Sequence, residues 1–445
     1  MITRLEVDGF KSLRNFAVDF EPFTVFIGPN SAGKSNIMEA LGLLSRLVRM
    51  PIVESFKGGR GKTIDQFTRT NSGHVERMRF GVEFLEYGWY PRESEFQSRF
   101  RYELTIARRE TKRGAEQLFV TNEQIHAMRR EDDKWIMEHP EFQNWAGYKQ
   151  GGESYLVTLM DVQTSKQRVI LQPKVWPKEW QVPHGHTALG AMPISDLHLE
   201  LHKTLASFRT FSLDSLRLGL SSERTDVEEL APDASNLPTI LAELPDPALG
   251  AIRANLATLV PGIASFDILK EGDDFIIEFE FSGGERVPAR LVSNGTLRIL
   301  ALLTALYLEP RPPIVSIEEP ENGIFPGRLR LLLEKLQQVA TEDTANYVQR
   351  RWEYWREYSN NVIQGVNVNH LPTQILITTH SNVILSALLS RSRHLRFIDM
   401  VRRNGERVTR ARTVGPVNSP QDGRFLITPG EIAGILDTTY DEAAE

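Results

Sequence analysis

The sequence predicts an α/β fold: a mixed, largely parallel central sheet, with an antiparallel β lobe and a helical lobe attached. Three observations carry this. Gly28-Pro29-Asn30-Ser31-Ala32-Gly33-Lys34-Ser35 fits the phosphate-binding loop pattern G-x-x-x-x-G-K-[ST] at every fixed position. The apolar run Phe23-Thr24-Val25-Phe26-Ile27 before it reads as a buried strand, and Ile37, Leu41, Leu44 and Val48 after it fall on one helix face. In the last third, the runs Ile314-Val315-Ser316-Ile317 and Gln374-Ile375-Leu376-Ile377-Thr378-Thr379 alternate with helical stretches, as in a parallel α/β core.

In chain order, residues 1–75 form the first part of this core. They read as strand (Ile2, Leu5, Val7), turn, strand, phosphate loop and helix, with a Gly-, Lys- and Thr-rich loop over 51–75. Residues 76–200 change texture. Alternating stretches such as Phe80-Gly81-Val82-Glu83-Phe84 and Arg101-Tyr102-Glu103-Leu104-Thr105-Ile106 predict antiparallel strands in an inserted lobe. Residues 201–290 read as a helical lobe followed by returning strands (Phe275-Ile276-Ile277-Glu278-Phe279). Residues 291–400 complete the core, and 401–445 form a C-terminal extension. The polar, aromatic segment 341–372 reads as a surface elaboration, and the acidic end from Asp437 as loose. No sustained heptad run appears, so long coiled-coil arms are not expected.

Composition narrows the function classes. The 445 residues are 41% apolar and 25% charged, ordinary for a soluble globular protein. With 52 basic and 58 acidic residues the net charge is −6, so any nucleic-acid surface must be a local patch. Cysteine is absent, which excludes disulfides, thiolate metal sites and cysteine nucleophiles. No apolar run is long enough to span a bilayer. The alternating start Met1-Ile2-Thr3-Arg4-Leu5-Glu6-Val7 lacks a signal peptide's apolar region. The expected setting is cytoplasmic, with no membrane partner.

A strand–loop–helix gathers backbone N–H groups and the positive helix end around one point, where polyphosphate binds. Gly28 and Gly33 permit close backbone approach. The expected nucleotide-binding set is Gly28, Pro29, Asn30, Ser31, Ala32, Gly33, Lys34, Ser35 and Asn36. Lys34 would reach the β/γ-phosphates, and the Ser35 hydroxyl would bind Mg²⁺.

Hydrolysis needs further groups. The strand at 314–317 ends in Glu318-Glu319, where parallel sheets present ligand-binding residues. One carboxylate can hold Mg²⁺ and the next can polarise water; a solvated pair opening a turn before Pro320 is the plainer reading. His380 ends the next strand and can hydrogen-bond a γ-phosphate, or serve structure alone. Ser293-Asn294-Gly295 opens a helix and makes either a second anion-binding corner or an ordinary N-cap.

Together these features resemble the ABC-type ATPase heads of the SMC/RecF/OLD class, especially the compact bacterial AAA-15/AAA-21 ATPases of the OLD and phage-defence type. The resemblance rests on Phe10-Lys11-Ser12-Leu13, Gly28 to Ser35, Ser293 to Arg298, Ile314 to Gly323 and Thr378-Thr379-His380-Ser381. A weaker match is Leu230 to Leu237, similar to the family's L-x-P-D-G-x-N-L stretch with Ala234 in place of glycine.

The resemblance implies ATP and Mg²⁺ as cofactors and a homodimer or higher homo-oligomer in which two heads sandwich ATP. Ser293, Asn294 and Gly295 would be the signature motif, acting on nucleotide bound by a second copy. Glu318 would serve the metal with Ser35. Glu319, His380 and Lys34 would be catalytic, and Glu321 and Asn322 would lie in the D-loop. Relatives often carry His-Pro where Phe325-Pro326 stands, and no glutamine is assigned to the metal. No nuclease cluster follows the last core strand.

The expected function is therefore an ATP-hydrolysing switch subunit, controlling a separately encoded nuclease of Toprim or HNH type. A phage protein would be the trigger, as in PARIS-like or Septu-like antiviral systems. The alternatives are a RecF-like repair ATPase that binds DNA directly, and a nucleotide-gated scaffold without turnover. DNA would meet Arg-rich patches. The foremost is the stretch 391–410, where acidic partners look few; the others are Arg108-Arg109 with Lys112-Arg113, Arg129-Arg130 and Arg350-Arg351.

Overall fold

The computed structural model describes residues 1–86, 98–145, 148, 154–161, 166–171, 180–182, 185–191, 196–214, 216–227, 229–308, 311–341, 373–415 and 426–441. The first sheet is an antiparallel meander of eight strands. It takes β1 (Ile2–Asp8) and β2 (Phe16–Asp19) from the N-terminus, and β6 (Arg77–Leu85), β7 (Arg99–Glu110), β8 (Glu116–Ala127), β9 (Ser154–Asp161), β10 (Lys166–Leu171) and β11 (Trp180–Gln181) from later, in the order β11-β10-β9-β8-β7-β6-β1-β2. Sheet membership thus cuts across the boundary expected at residue 75. The reason is register: Leu5, Val7 and their neighbours pair with Val82 and Phe80 on β6. The alternation that marks β1 as a half-buried strand leaves open which sheet it joins.

The second sheet is the core, in the order β12 (Phe208–Phe211), β17 (Ile314–Glu318), β18 (Gln374–Thr379), β3 (Phe23–Ile27), β19 (Leu395–Arg403), β20 (Glu406–Val414) and β21 (Leu426–Ile427). The first five strands are mutually parallel, and β20 is antiparallel to β19. This is the expected mixed sheet. It extends past residue 400, because β20 and β21 come from the segment read as an extension.

Both faces of the core sheet are covered, so its inner strands are buried along their length and mostly apolar. Side chains alternate between faces. Phe23, Val25 and Ile27 join one core with Val315, Ile317, Ile375, Ile377 and Phe397. Phe26 points the other way, with Ile314, Leu376 and Ile398, into a second core shared with the eight-stranded sheet. Each such side chain, fully buried, contributes about 1.5–3 kcal/mol.

The helix α1 (Lys34–Leu47) lies in the second core through Ile37, Leu41 and Leu44. The first core is closed by α6 (Leu237–Glu243), α7 (Asp246–Leu259), α8 (Asn294–Leu306), α9 (residues 326–341), α10 (Asn382–Ala387) and α11 (Pro429–Asp441). The smaller elements are α2 (Ile52–Lys57), the hairpin β4 (Arg69–Thr70) with β5 (Gly73–His74), α3 (Lys134–Glu138), α4 (Ala188–Ala191) and α5 (Asp196–Ala206). A third antiparallel sheet joins β13 (Ser222–Glu223), β14 (Ile263–Glu271), β15 (Asp274–Phe281) and β16 (Arg286–Pro288).

Three readings are corrected. The segment 51–75 holds a helix and a hairpin rather than loop alone, since Ile52 and Phe56 bury against α1. The acidic end is helical as far as Asp441, because Ile432 and Leu436 dock on the first core. The Arg-rich stretch is well supplied with partners: Arg410 and Arg412 share Asp399, Arg396 meets Glu21, and Arg393 meets Glu141. Asp399 faces Arg410 across the β19–β20 hairpin, a pairing that needs the fold to be seen. Arg402, Arg403 and Arg407 stay exposed at its tip, and none of them has an ion-pair partner among the described residues. The segment 342–372, Arg350-Arg351 included, lies outside the described residues.

Candidate nucleotide site

Parallel β17, β18 and β3 deliver three segments to one sheet edge. Ile27 stands beside Thr379, and Thr378 beside Glu318. After β3 the chain turns sharply. The Gly28 N–H donates to the Thr379 carbonyl at 3.2 Å. A Cβ on Gly28 would lie 2.0 Å from the Ile398 carbonyl oxygen, so only glycine fits. Gly33 takes the left-handed conformation (φ 98°) at the N-cap of α1, and a Cβ there would strike Thr409 Oγ1 at 2.0 Å.

No side chain caps α1, and its first turn carries no acidic residue. Its N–H groups are therefore available to an anion. The loop is buttressed from outside. Ser12 Oγ is 2.6 Å from Thr409 Oγ1 and accepts from Asn36 Nδ2 at 2.7 Å, while Thr409 Oγ1 donates to the Ala32 carbonyl at 3.1 Å.

Lys34 is 6% exposed, and its Nζ donates to the Gly28 and Pro29 carbonyls at 2.7 and 2.9 Å. Burial pushes its ammonium down to about 8, against the pull of Glu319 and Glu321. A buried lysine parked on loop carbonyls is poised to exchange them for phosphate oxygens.

A cavity of about 540 Å³ opens here. It is lined by Asn30, Ser31, Gly33, Lys34, Ser35 and Asn36 from the loop, with Glu318, Glu319, Asn322 and Thr378 opposite. Residues 30 and 319, far apart in sequence, thus share one chamber. Two residues other than glycine in this chamber have positive φ, Ser31 (62°) and Glu319 (46°). Such backbone costs about 1–3 kcal/mol and persists where the surroundings hold it. The Glu319 N–H is held by the Thr378 carbonyl at 2.9 Å, and its Oε2 accepts from Asn322 Nδ2 at 2.9 Å.

Burial raises the Glu318 carboxyl above its usual range, opposed by Arg60, whose Nη2 lies 3.4 Å from Glu318 Oε2. His380 Nδ1 lies 3.4 Å from Glu319 Oε1 and 3.6 Å from Glu321 Oε1.

Ser293, Asn294 and Gly295 do not line this cavity. Ser293 is a true N-cap of α8: its Oγ accepts from the Thr296 N–H. Gly295 instead packs on the turn after β17, where a Cβ would lie 2.2 Å from the Gly323 carbonyl oxygen. Arg298, one turn along α8, does line the cavity and donates to the Leu213 carbonyl at 2.8 Å. Burial pushes its guanidinium down, opposed by Asp214, Glu319 and Glu321.

Arg60, Ser212 and Thr409 escaped the sequence reading as members of the site, and Arg298 entered it only as the end of the signature stretch, not as a lining residue of its own chain's cavity. The signal for Arg298 was present: a charged residue inside the apolar run Leu297 to Leu303 must have a buried partner. Arg60 and Thr409 carried no such signal. Ala234, standing where glycine was noted in similar stretches, takes the left-handed conformation (φ 56°) that glycine adopts freely.

The residues fit a nucleoside triphosphate with Mg²⁺. The loop supplies bare N–H groups and a buried ammonium. Ser35 and Glu318 offer the few oxygen ligands that Mg²⁺ takes from protein, phosphate and water completing its shell. Two other clefts, of about 660 and 1100 Å³, contain none of the phosphate-loop residues.

A parallel sheet edge carrying a phosphate loop, a buried lysine and facing carboxylates defines a P-loop ATPase head. The chain belongs to the AAA_21 family, described as "AAA domain, putative AbiEii toxin, Type IV TA system", whose profile matches residues 23–386.

A 45-residue stretch is 51% identical to structural maintenance of chromosomes protein 1 of Schizosaccharomyces pombe, covering 10% of this chain and 4% of that protein. Among solved structures, an SMC head bound to the C-terminal winged-helix domain of ScpA is 15% identical, with TM-score 0.48 over 93% of this chain and 97% of the other. The SMC head domain from Thermotoga maritima is also 15% identical, with TM-score 0.39 over 94% and 99%. Among the described residues no helix is long and apolar enough to cross a membrane.

Proposed function

We propose that the chain is an ATP-hydrolysing switch subunit whose heads associate around nucleotide in the ABC manner. The observation that carries this reading is a division of labour. Phosphate-loop residues, Lys34, Glu318 and Glu319 line one cavity, while Ser293, Asn294 and Gly295 at the start of α8 lie outside its lining. Leu291 and Phe325 beside that end are 70% and 71% exposed. A helix N-terminus rimmed by exposed apolar side chains suits a second copy carrying bound nucleotide.

In this reading Lys34 and the α1 N-terminus hold the polyphosphate, and Ser35 with Glu318 hold Mg²⁺, which shields phosphate charge when bound. Glu319 orients and deprotonates the attacking water, and His380 contacts the γ-phosphate. Binding energy becomes a population shift between open and closed pairs of heads. The family description names a putative toxin of a toxin–antitoxin system, a setting that suits control of a separate nuclease, of Toprim or HNH type, in antiviral defence with a phage protein as trigger.

The test is subunit mixing. Ser293→Arg should keep nucleotide binding and lose hydrolysis, and Lys34→Ala should lose binding. Mixed dimers of the two should regain at most one working site. No recovery at any ratio would count against a shared site.

A second reading, direct DNA binding of RecF type, is favoured by the exposed trio Arg402, Arg403 and Arg407. It predicts DNA affinity with a steep salt dependence, reduced by charge reversal of the trio.

A further inference from the structure

The D-loop position Glu321 is built into the molecule in a way the shared-site reading leaves unused. Its side chain is only 11% exposed. Its Oε1 accepts the Thr379 hydroxyl at 2.6 Å and the His380 backbone N–H at 3.2 Å. The same oxygen lies 3.6 Å from the His380 ring nitrogen Nδ1, and Glu319 Oε1 lies 3.4 Å from that nitrogen. Glu321 Oε2 is buried with no hydrogen-bond partner among the described residues. One carboxylate thus fastens the turn after β17 to the end of β18, and shares one imidazole with the residue that faces the cavity.

We infer that Glu321 is a positioning residue acting within its own chain: it fixes the orientation and tautomer of His380, so that the imidazole and Glu319 move as one unit with the turn at Gly323. Neither approach is itself a hydrogen bond, but two carboxylate oxygens 3.4 and 3.6 Å from Nδ1 favour a proton on that nitrogen over one on Nε2, which sets the role of the other nitrogen. The backbone bond to the His380 N–H keeps the ring's attachment point in place. Displacing the turn, which also touches Gly295 of α8, would shift His380 directly.

This inference rests on the ATPase reading of the cavity, and its test separates the two. ATP turnover is measured for the wild type, Glu321→Ala, Glu321→Gln, His380→Ala and the double variant Glu321→Ala/His380→Ala. Absence of turnover in the wild type would sink the ATPase reading. With turnover present, Glu321→Ala should lower kcat about tenfold or more with KM little changed. The double variant should be no slower than His380→Ala alone. Glu321→Gln, which keeps the Oε1 acceptor, should recover part of the rate and guards against misfolding of the alanine variant. Losses that multiply in the double variant would overturn the inference, as would a Glu321→Ala kcat equal to wild type.

A readout independent of turnover is the His380 ring tautomer, followed by ¹⁵N-histidine NMR with His380→Gln for assignment. It should be a single Nδ1–H species in the wild type and a mixture in Glu321→Ala. An unchanged signal would also overturn the inference.

Discussion

Gly295 and Gly323 meet backbone to backbone. The first opens α8, the second ends the turn after Glu319, and a methyl group on Gly295 would sit 2.2 Å from the carbonyl oxygen of Gly323. The helix that presents Ser293 and the turn that presents Glu319 are therefore in direct contact, with no side chain between them to absorb a shift.

Gly295→Ala should separate the two. A small-to-large change at a packed contact costs about 1–3 kcal/mol, so the melting temperature should fall. ATP turnover should fall further than nucleotide binding, because the phosphate loop is untouched. Equal losses in binding and turnover would argue against coupling through this contact.

Glu319→Gln should bind ATP, accumulate associated heads and lose turnover by about 10²–10⁴-fold, the range for removal of a general base. Single-turnover kinetics with size-exclusion chromatography checks both halves. Normal hydrolysis would remove Glu319 from its role and favour the scaffold reading.

Nucleotide affinity should fall as pH rises above about 8. Burial holds the Lys34 ammonium down to about 8. Polyphosphate favours the charged form, so binding above that pH takes up a proton, and affinity drops by up to about tenfold per pH unit. Calorimetry in buffers of different ionisation enthalpy reads the uptake. Stability has the opposite trend. The unfolded chain binds more protons at this lysine between about 8 and the ordinary lysine value of 10.5, so the Lys34 contribution to stability rises with pH across that window.

His394 sets an acid limit. It is 3% exposed, and burial, with Arg393 and Arg396 nearby, pushes its ring down to about 4, against the pull of Glu21. Between the ordinary histidine value of 6.5 and about 4 the unfolded chain binds the extra proton. Stability from this group is thus present above 6.5 and is lost as pH falls toward 4, by on the order of 3 kcal/mol. Urea midpoints across pH 4–7 should flatten in His394→Gln. An unchanged slope would assign the acid sensitivity elsewhere.

Local pattern made much of the site legible. The phosphate loop needed only its glycines, lysine and serine, because β3 before it is apolar but for Thr24 and α1 after it shows a single apolar face. Glu318, Glu319 and His380 were legible because parallel strands put their C-terminal residues on one edge. Arg298, Arg60 and Thr409 depend on how α8, the loop after α2 and the β19–β20 hairpin pack, and local periodicity does not encode that. The same holds for β1. Its alternation shows a half-buried strand, but its partner, β6, is chosen by long-range pairing. The Arg-rich stretch was misread for a related reason, since its acids lie across a hairpin or far along the chain.

The phosphate-loop strand has both hydrogen-bonded neighbours, β18 and β19, in the final quarter of the chain. A ribosome that has made only the first 370 residues has already released Lys34 and Ser35, but no strand to flank them. Nucleotide cannot assist the early stages of maturation, and the apolar edge of β3 is open to wrong partners throughout synthesis. Chaperone demand during translation should therefore be high, and a stop codon ahead of Gln374 should yield insoluble product rather than a smaller working head.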